Sequence, residues 1–308
     1  MTYAILTDNL VKDYQGLKAV NQLNLKVPVG AIYGFLGPNG SGKTTTLKML
    51  TGMTKPTSGT IEILGKAVVF GKNESQLDVG FLPDVPGFYD WMNAKEFLMF
   101  CGRLFGLADD IIKKRVADLL ATVGLTKSAH KRIGTYSRGM KQRLGIAQAL
   151  INDPAIIFLD EPVSALDPQG RKEVMDIISK LAGKVTVFFS THILADVERI
   201  CDRVVIIKDG VAILEDTIEN IKQMTSKRTI DIEFESNHIN QMTELLKDKP
   251  FIEDINQNGL VLSLDVTDLV EARHQLHKII YDSHFLIKKM IVREPSLEEI
   301  YLEVVNHQ

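Results

Sequence analysis

Apolar and polar residues alternate at the start of the chain and then give way to continuous apolar runs. The alternation over residues 4–29 predicts half-exposed antiparallel strands, which end where Pro28 and Gly30 break the pattern. Short apolar runs further on predict strands of a parallel sheet that is buried on both faces. These runs cover residues 31–36, 79–82, 155–159 and 185–190.

Helical spacing of apolar residues separates most of these runs. A helix is predicted from Lys43 to about Gly52, and further helices at about 94–105, 110–124, 138–150 and 169–181. Asn93 followed by Glu96 predicts a capping box at the start of the second of these helices. The second and third helices form a predicted helical insert at about 86–135.

The last third of the chain has a different order of elements. A hairpin is predicted across Asp209 and Gly210, and the composition then changes after Asp216. From residue 229 the order is β-α-β-β-α-β, which is the ferredoxin-like order, followed by a last helix from Ser296. We therefore predict two domains, residues 1–216 and a small α+β domain at 217–308.

The turn after the first buried run predicts a phosphate site. GPNGSGKT, residues 37–44, matches G-x-x-x-x-G-K-[ST] between a predicted strand and a predicted helix. Glycines let backbone N–H groups turn toward a polyphosphate, and the N-terminus of the helix adds further donors. Lys43 would contact the β- and γ-phosphates, and the hydroxyl of Thr44 would bind Mg²⁺.

Two carboxylates and a histidine follow buried strands further along the chain. Asp160 and Glu161 end the run AIIFL, an arrangement in which one carboxylate serves Mg²⁺ and the other the attacking water. His192 follows the run VTVFFS, so the topology places it at the same sheet edge as Lys43 and Asp160. A structural histidine and a functional one fit this position equally well.

Ser137 predicts a second anion site. Its hydroxyl and the N–H groups that follow it begin a helix in TYSRGMKQRLGIAQAL. Because the glycine loop already supplies the contacts for one set of phosphates, Ser137 is predicted to serve a nucleotide that is held elsewhere.

Composition narrows the classes of protein that remain. The chain has 308 residues, 45% hydrophobic and 24% charged, as in globular proteins with a sizeable core. No apolar run is long enough for a membrane span, and the start lacks the features of a signal peptide. Cys101 and Cys201 fall outside metal or disulfide spacings, which favours a cytoplasmic protein. A net charge of −3 disfavours nucleic acid as a partner.

The motifs together resemble the ATP-binding cassette (ABC) family, the ATPase subunits of ABC transporters, over residues 1–216. GPNGSGKT resembles its Walker A, IIFLDE its Walker B, YSRGM its signature, SALD its D-loop and His192 its switch histidine. Tyr14 matches the position that stacks on adenine. In the signature, usually LSGGQ, Tyr136, Arg138 and Met140 differ, and Asp84 replaces the usual glutamine of the Q-loop.

The resemblance implies a fold, a site and partners. The fold is an α/β P-loop NTPase with an antiparallel subdomain and a helical insert. Glu161, His192 and Lys43 would be catalytic, with His192 on the γ-phosphate, and Thr44, Asp160 and Asp84 would bind Mg²⁺. The nucleotide would be ATP, enclosed by two subunits. Its contacts would be Tyr14, Gly37, Asn39, Gly40, Ser41, Gly42, Lys43, Thr44 and Thr45, together with Ser137 and Gly139 of a second, identical or related, subunit.

The branch of single cassettes found in bacterial drug and antibiotic exporters has short signatures such as YSRGM and an acid in LPD. The resemblance therefore implies an integral membrane permease as partner and a location on the inner face of the cell membrane. Phe88, Tyr89 and Trp91 either dock this partner or pack in the core. The alternatives are an ABC ATPase that acts on nucleic acid or ribosomes, and a nucleotide-binding regulatory subunit.

Overall fold

The chain divides into two compact units, Met1–Ile218 and Glu219–Gln308. The computed structural model describes residues 2–71, 78–224, 228–235, 238–293 and 296–306. The predicted boundary between domains, at residue 216, lies close to the point at which the two units separate. Each unit has its own buried core.

The first unit contains two sheets. Its strands in chain order are β1 (Tyr3–Tyr14), β2 (Leu17–Pro28), β3 (Ile32–Leu36), β4 (Ser58–Ile63), β5 (Lys66–Ala67), β6 (Val79–Leu82), β7 (Ile156–Asp160), β8 (Thr186–Thr191), β9 (Arg203–Lys208) and β10 (Val211–Thr217). One sheet has the order β2-β1-β4-β5 and is antiparallel. The other has the order β10-β9-β3-β8-β7-β6 and is parallel except for the β9–β10 hairpin.

Helices connect these strands. They are α1 (Lys43–Leu50), α2 (Ala94–Leu104), α3 (Asp109–Thr122), α4 (Arg138–Ala149), α5 (Pro168–Ser179), α6 (Leu194–Ile200) and α7 (Ile218–Met224), the last of which begins at the final residue of the first unit. Short 3₁₀ helices lie at Thr126–Ser128 and Ile133–Thr135. Over the described ranges, no helix combines the length and the apolar character that are needed to cross a membrane.

The parallel sheet is the core of the first unit. Every residue of β3, β7 and β8 is buried, as expected for strands covered on both faces. The ring of Phe188 stacks on Tyr33 at 5.5 Å and contacts Phe158 edge-on at 5.7 Å, so aromatic packing joins three neighbouring strands. This packing makes the sheet a rigid support for the loops at its edge.

The helical insert consists mainly of α2 and α3. Asn93 and Glu96 form the predicted capping box, each side chain bonding the backbone N–H of the other residue. α2 and α3 approach closely at Gly102, where a Cβ atom would lie 2.9 Å from Ile112 Cγ1. The residue at position 102 therefore has to be small.

The second unit is a four-stranded antiparallel sheet with helices. Its elements are β11 (Thr229–Phe234), α8 (Ile239–Leu246), β12 (Ile252–Asn258), β13 (Val261–Val266), α9 (Leu269–Asp282), β14 (Ile287–Arg293) and α10 (Leu297–Asn306). The sheet order β12-β13-β11-β14 is that of a ferredoxin-like fold. The predicted fold class is confirmed for both parts of the chain.

The structure differs from the sequence-based expectation at β7 and in two helices. β7 extends through Asp160, so this carboxylate belongs to the strand itself. α6, which directly follows the loop of His192, and α7 were not predicted. Each has seven residues, too few helical repeats to be recognised from apolar spacing.

Gly80 provides a test of how closely the sheet packs against α4. A Cβ atom at Gly80, in β6, would overlap the carbonyl oxygen of Ala149. Because backbone must move to relieve this overlap, we expect Gly80→Ala to lower the free energy of unfolding by about 1–3 kcal/mol. Gly87→Ala is the matched control, since nothing lies within 4 Å of the Cβ position there. Urea unfolding of both variants measures the difference, and equal stabilities would contradict the close packing.

Candidate functional site

The candidate site lies where parallel strands end side by side. β3 ends at Leu36 before the glycine loop, β7 ends at Asp160, and β8 ends at Thr191. β3 and β7 both pair with β8, which brings their carboxyl ends to one edge of the sheet. Loops at this edge of an open α/β sheet are the usual place for a ligand.

Glycine is required at two positions of the loop between β3 and α1. At Gly37 a Cβ atom would lie 2.5 Å from the carbonyl oxygen of Ile207. Gly42 has φ of 101°, and a Cβ atom there would overlap the carbonyl oxygen of Ala19. The loop therefore folds tightly against its neighbours and leads directly into the N-terminus of α1, where backbone donors attract an anion.

Lys43, the first residue of α1, is buried with 6% of its surface exposed. Its Nζ donates hydrogen bonds to the carbonyl oxygens of Gly37 at 2.7 Å and Pro38 at 3.1 Å. Nζ also lies 3.3 Å from Oε1 of Glu161, whose side chain is 12% exposed. A buried ammonium group is costly without such partners, so the Glu161 carboxylate compensates it.

Glu161 also contacts His192. Its Oε2 lies 2.9 Å from Nδ1 of His192, which is 43% exposed and faces solvent. The backbone of Glu161 has φ of 48°, a conformation that is unusual for a residue other than glycine. Its N–H donates to the carbonyl oxygen and to Oγ of Ser190, which holds the turn in this conformation. Lys43, Glu161 and His192 thus form one chain of contacts.

Ser190 is a candidate functional residue that was not predicted from the sequence. Its Oγ donates to Oδ1 of Asp160 at 2.6 Å, and both residues are buried. The two residues are register partners on β8 and β7. In the sequence, Ser190 is a hydroxyl residue at the end of the apolar run VTVFFS. Its bond with Asp160 could not be predicted, because it depends on which strands are neighbours in the sheet.

A cavity of about 270 Å³ opens beside the glycine loop. Its lining consists of Ala19, Asn39, Gly40, Gly42, Lys43, Thr44, Thr45, Asp84 and Glu161. The structure therefore brings most of the predicted nucleotide contacts into one cleft, which we call the nucleotide cleft. Gly37 and Ser41 lie behind it and are buried. Ala19, which the sequence analysis did not include, contributes backbone from β2.

Besides Gly37 and Ser41, three predicted contacts lie outside this lining. Tyr14 is 47% exposed at the end of β1, with Nζ of Lys12 at 4.9 Å from its ring centroid. Ser137 caps α4, its Oγ accepting a hydrogen bond from the N–H of Met140 at 3.2 Å, and Gly139 lies in the first turn. The second predicted anion site is therefore not part of the cleft formed by its own chain.

The comparisons with known proteins agree with this geometry. Residues 20–164 match the family model "ABC transporter", and residues 217–305 match "ATP-binding protein DrrA1-3-like, C-terminal domain". The chain is 40% identical over 303 residues to the uncharacterized ABC transporter ATP-binding protein YxlF of Bacillus subtilis, covering 97% of this chain and 98% of YxlF. The chain belongs to the ATP-binding proteins of ABC transporters. The resemblance found in the sequence is confirmed, and such cassettes hydrolyse ATP.

Two further matches bear on how this ABC ATPase works. The bacitracin transport ATP-binding protein BcrA of Bacillus licheniformis is 37% identical over 309 residues, covering 99% of this chain and 98% of BcrA. The dimeric structure of the cassette MJ0796 in a post-hydrolysis state with ADP and Pi has a TM-score of 0.63 and 26% identity. It covers 70% of this chain and 98% of MJ0796, so the structural match is to the cassette.

The hydrogen bond from Ser190 to Asp160 predicts a kinetic effect. Ser190→Ala leaves a buried carboxylate without its donor, a loss of about 1–3 kcal/mol that corresponds to a roughly five- to 150-fold fall in kcat/KM for ATP. The control is Thr7→Val in β1. This change also removes a buried hydroxyl, one that bonds the backbone of β2 and not a side chain of the site. Thr7→Val should lower stability and leave kcat/KM of the folded protein unchanged. Equal kinetics in both variants would contradict the role of Ser190.

Proposed function

We propose that this chain is the ATP-hydrolysing subunit of a bacterial exporter for antibiotic-type molecules. It works as a dimer of ATP-binding subunits that drives a separate membrane permease from the inner face of the cell membrane. The observation that carries the proposal is the chain of contacts from Lys43 through Glu161 to His192 at the edge of the nucleotide cleft. The full-length similarity to a bacitracin transport ATP-binding protein supports an antibiotic-type substrate.

Each subunit supplies half of each ATP site in this proposal. Ser137 begins α4 with a capped helix N-terminus, where backbone N–H groups favour an anion. It does not line the nucleotide cleft of its own chain. The phosphates that Ser137 and Gly139 contact therefore belong to ATP held by the other subunit, and MJ0796 is a cassette of this fold that has been seen as a dimer with ADP and Pi.

The contacts of Lys43 and Glu161 support a proposed role for each side chain when ATP binds. The phosphates replace the carbonyl oxygens of Gly37 and Pro38 as partners of Lys43. Glu161 then keeps its contact with His192, and its carboxylate is free to orient and deprotonate water. His192, exposed at the mouth of the site, contacts the γ-phosphate. Tyr14, exposed in the β1–β2 hairpin, is proposed to stack on adenine.

Mg²⁺ fits this site as a companion of ATP. Within the described residues no group of three or more His, Cys, Asp or Glu could hold a metal ion alone. Mg²⁺ instead prefers one or two carboxylates together with substrate phosphates and water. Asp84 has a buried Oδ1 without a hydrogen-bond partner, and Thr44 faces the same cleft. Thr44, Asp160 and Asp84 would hold the ion, which neutralises charge on the phosphates.

The membrane partner is proposed to dock on aromatic side chains of the helical insert. Tyr89 is 50% exposed and Trp91 is 68% exposed, and their ring centroids lie 5.9 Å apart. Phe88, in contrast, packs edge-on against Phe97 of α2 at 5.1 Å, so it supports this patch from beneath. Exposed aromatic residues of this kind are enriched at protein interfaces.

Glu161→Gln tests the general base. The variant keeps the size of the side chain and the hydrogen bonding but cannot accept a proton, so we expect ATP binding to remain and turnover to fall about 10²- to 10⁴-fold. ATP-bound dimer should accumulate, as measured by size-exclusion chromatography with light scattering. Glu253→Gln makes the same change on exposed β12 and should alter nothing. Normal turnover in Glu161→Gln would refute the assignment.

Trp91→Ala tests the docking patch. Removal of an exposed aromatic residue from an interface should weaken binding by about 1–3 kcal/mol, seen as loss of the permease subunit when the complex is purified in detergent. ATP binding to the isolated subunit should not change. Tyr281→Ala, which removes a side chain that is 78% exposed on α9, is the matched control. Full co-purification of the Trp91→Ala protein would show that the permease docks elsewhere.

A further inference from the structure

Asp84 lines two separate cavities of the first unit. One is the nucleotide cleft, which it shares with Lys43 and Glu161. The other, of about 240 Å³, lies between the loop after β6 and the start of α4. Its lining consists of Asp84, Val85, Pro86, Arg138, Lys141 and Gln142. Asp84 therefore forms the wall between the nucleotide cleft and the signature helix of the same chain.

The second cavity contains two cations beside this carboxylate. Arg138 and Lys141 both lie in the first turn of α4, where no acidic residue is present. Cations are unfavourable at a helix N-terminus because the helix dipole is positive there. Lys141 is compensated by Asp90, whose Oδ1 lies 3.2 Å from Nζ. Arg138 forms no hydrogen bond or ion pair with any residue that the structure describes.

Gln142 fixes the distance between Asp84 and this helix. Its Nε2 donates to the backbone oxygen of Asp84 at 3.0 Å, and the side chain is 1% exposed. Arg138 and Gln142 are four residues apart and therefore share a face of α4. Arg138 lines the second cavity from the face of α4 that is bonded to the Asp84 loop, and the buried Oδ1 of Asp84 has no hydrogen-bond partner.

We propose that Asp84 and Arg138 are a charge pair that acts across the cavity they share, without direct contact, and that connects the nucleotide cleft of one subunit to its own signature helix. Both residues depart from the usual motifs, in which glutamine and glycine occupy these positions and carry no charge. The pair offsets the charge of Asp84 beside the phosphates and positions α4, whose Ser137 serves the second ATP. The part of this inference that concerns the second ATP rests on the dimer in the proposed function.

A double-mutant cycle measures the pair. In the Glu161→Gln protein, the Kd for ATP with Mg²⁺ is measured by calorimetry for Asp84→Asn, Arg138→Gln and both changes together. Arg138→Gln alone removes one of the positive charges near Asp84 and should raise the Kd roughly two- to fivefold, the range of an exposed ion pair. In the Asp84→Asn background the same change should have no effect beyond that of the control.

Lys141→Gln is the matched control, since Lys141 lines the same cavity but is paired with Asp90. It should change the Kd equally with and without Asp84→Asn, which reports the general loss of a positive charge. Arg138→Gln effects that are equal in the two backgrounds, or absent in both, would overturn the pair. Equal effects would assign Arg138 to the partner's ATP instead.

ATP-dependent dimerisation of the same variants, followed by analytical ultracentrifugation, tests the link to α4. Arg138→Gln should raise the ATP concentration for half-maximal dimerisation by a larger factor than it raises the Kd. Equal factors would overturn the link. If the Glu161→Gln protein binds ATP but never dimerises, the proposed dimer fails, and the Kd cycle still decides the charge pair.

Discussion

The ammonium group of Lys43 is buried, and the site depends on what compensates its charge. In this structure the compensation comes from Glu161 and from two carbonyl oxygens of the glycine loop. A buried charge without a partner is strongly destabilising, so the proposed binding of polyphosphate has to keep Lys43 paired. In the proposed function the phosphates take over these contacts, and this exchange would free the carboxylate of Glu161 for chemistry.

This exchange requires side chains from separate segments to meet within hydrogen-bonding distance, and the parallel sheet provides the alignment. Asp160 is the register partner of Ser190, and Leu36 is that of Thr191. A shift of one residue between strands would turn these side chains to the other face of the sheet. The buried hydroxyl of Ser190, in β8, bonds Asp160 at the last residue of β7. It therefore supports the turn that contains Glu161.

The contacts of α4 relate the nucleotide cleft to the second ATP of the proposed dimer. The capped N-terminus at Ser137 lies outside its own nucleotide cleft, while Gln142, one turn later, bonds the loop of Asp84 that lines the cleft. In the proposed dimer, Gln142 would therefore connect the two anion sites of one subunit, which serve different nucleotides.

The sequence by itself determined the elements that depend on local physical chemistry. Glycine sterics predicted the phosphate loop, apolar runs predicted the buried strands, and alternation with turn residues predicted the ferredoxin-like order. Asn93 and Glu96 predicted their capping box because both partners lie in one turn. Only the tertiary structure decided which distant residues meet: Glu161 with Lys43 and His192, Ser190 with Asp160, and Asp84 in one cavity with Arg138. These contacts depend on the order of strands and on the placement of α4, and no local pattern in the chain encodes either.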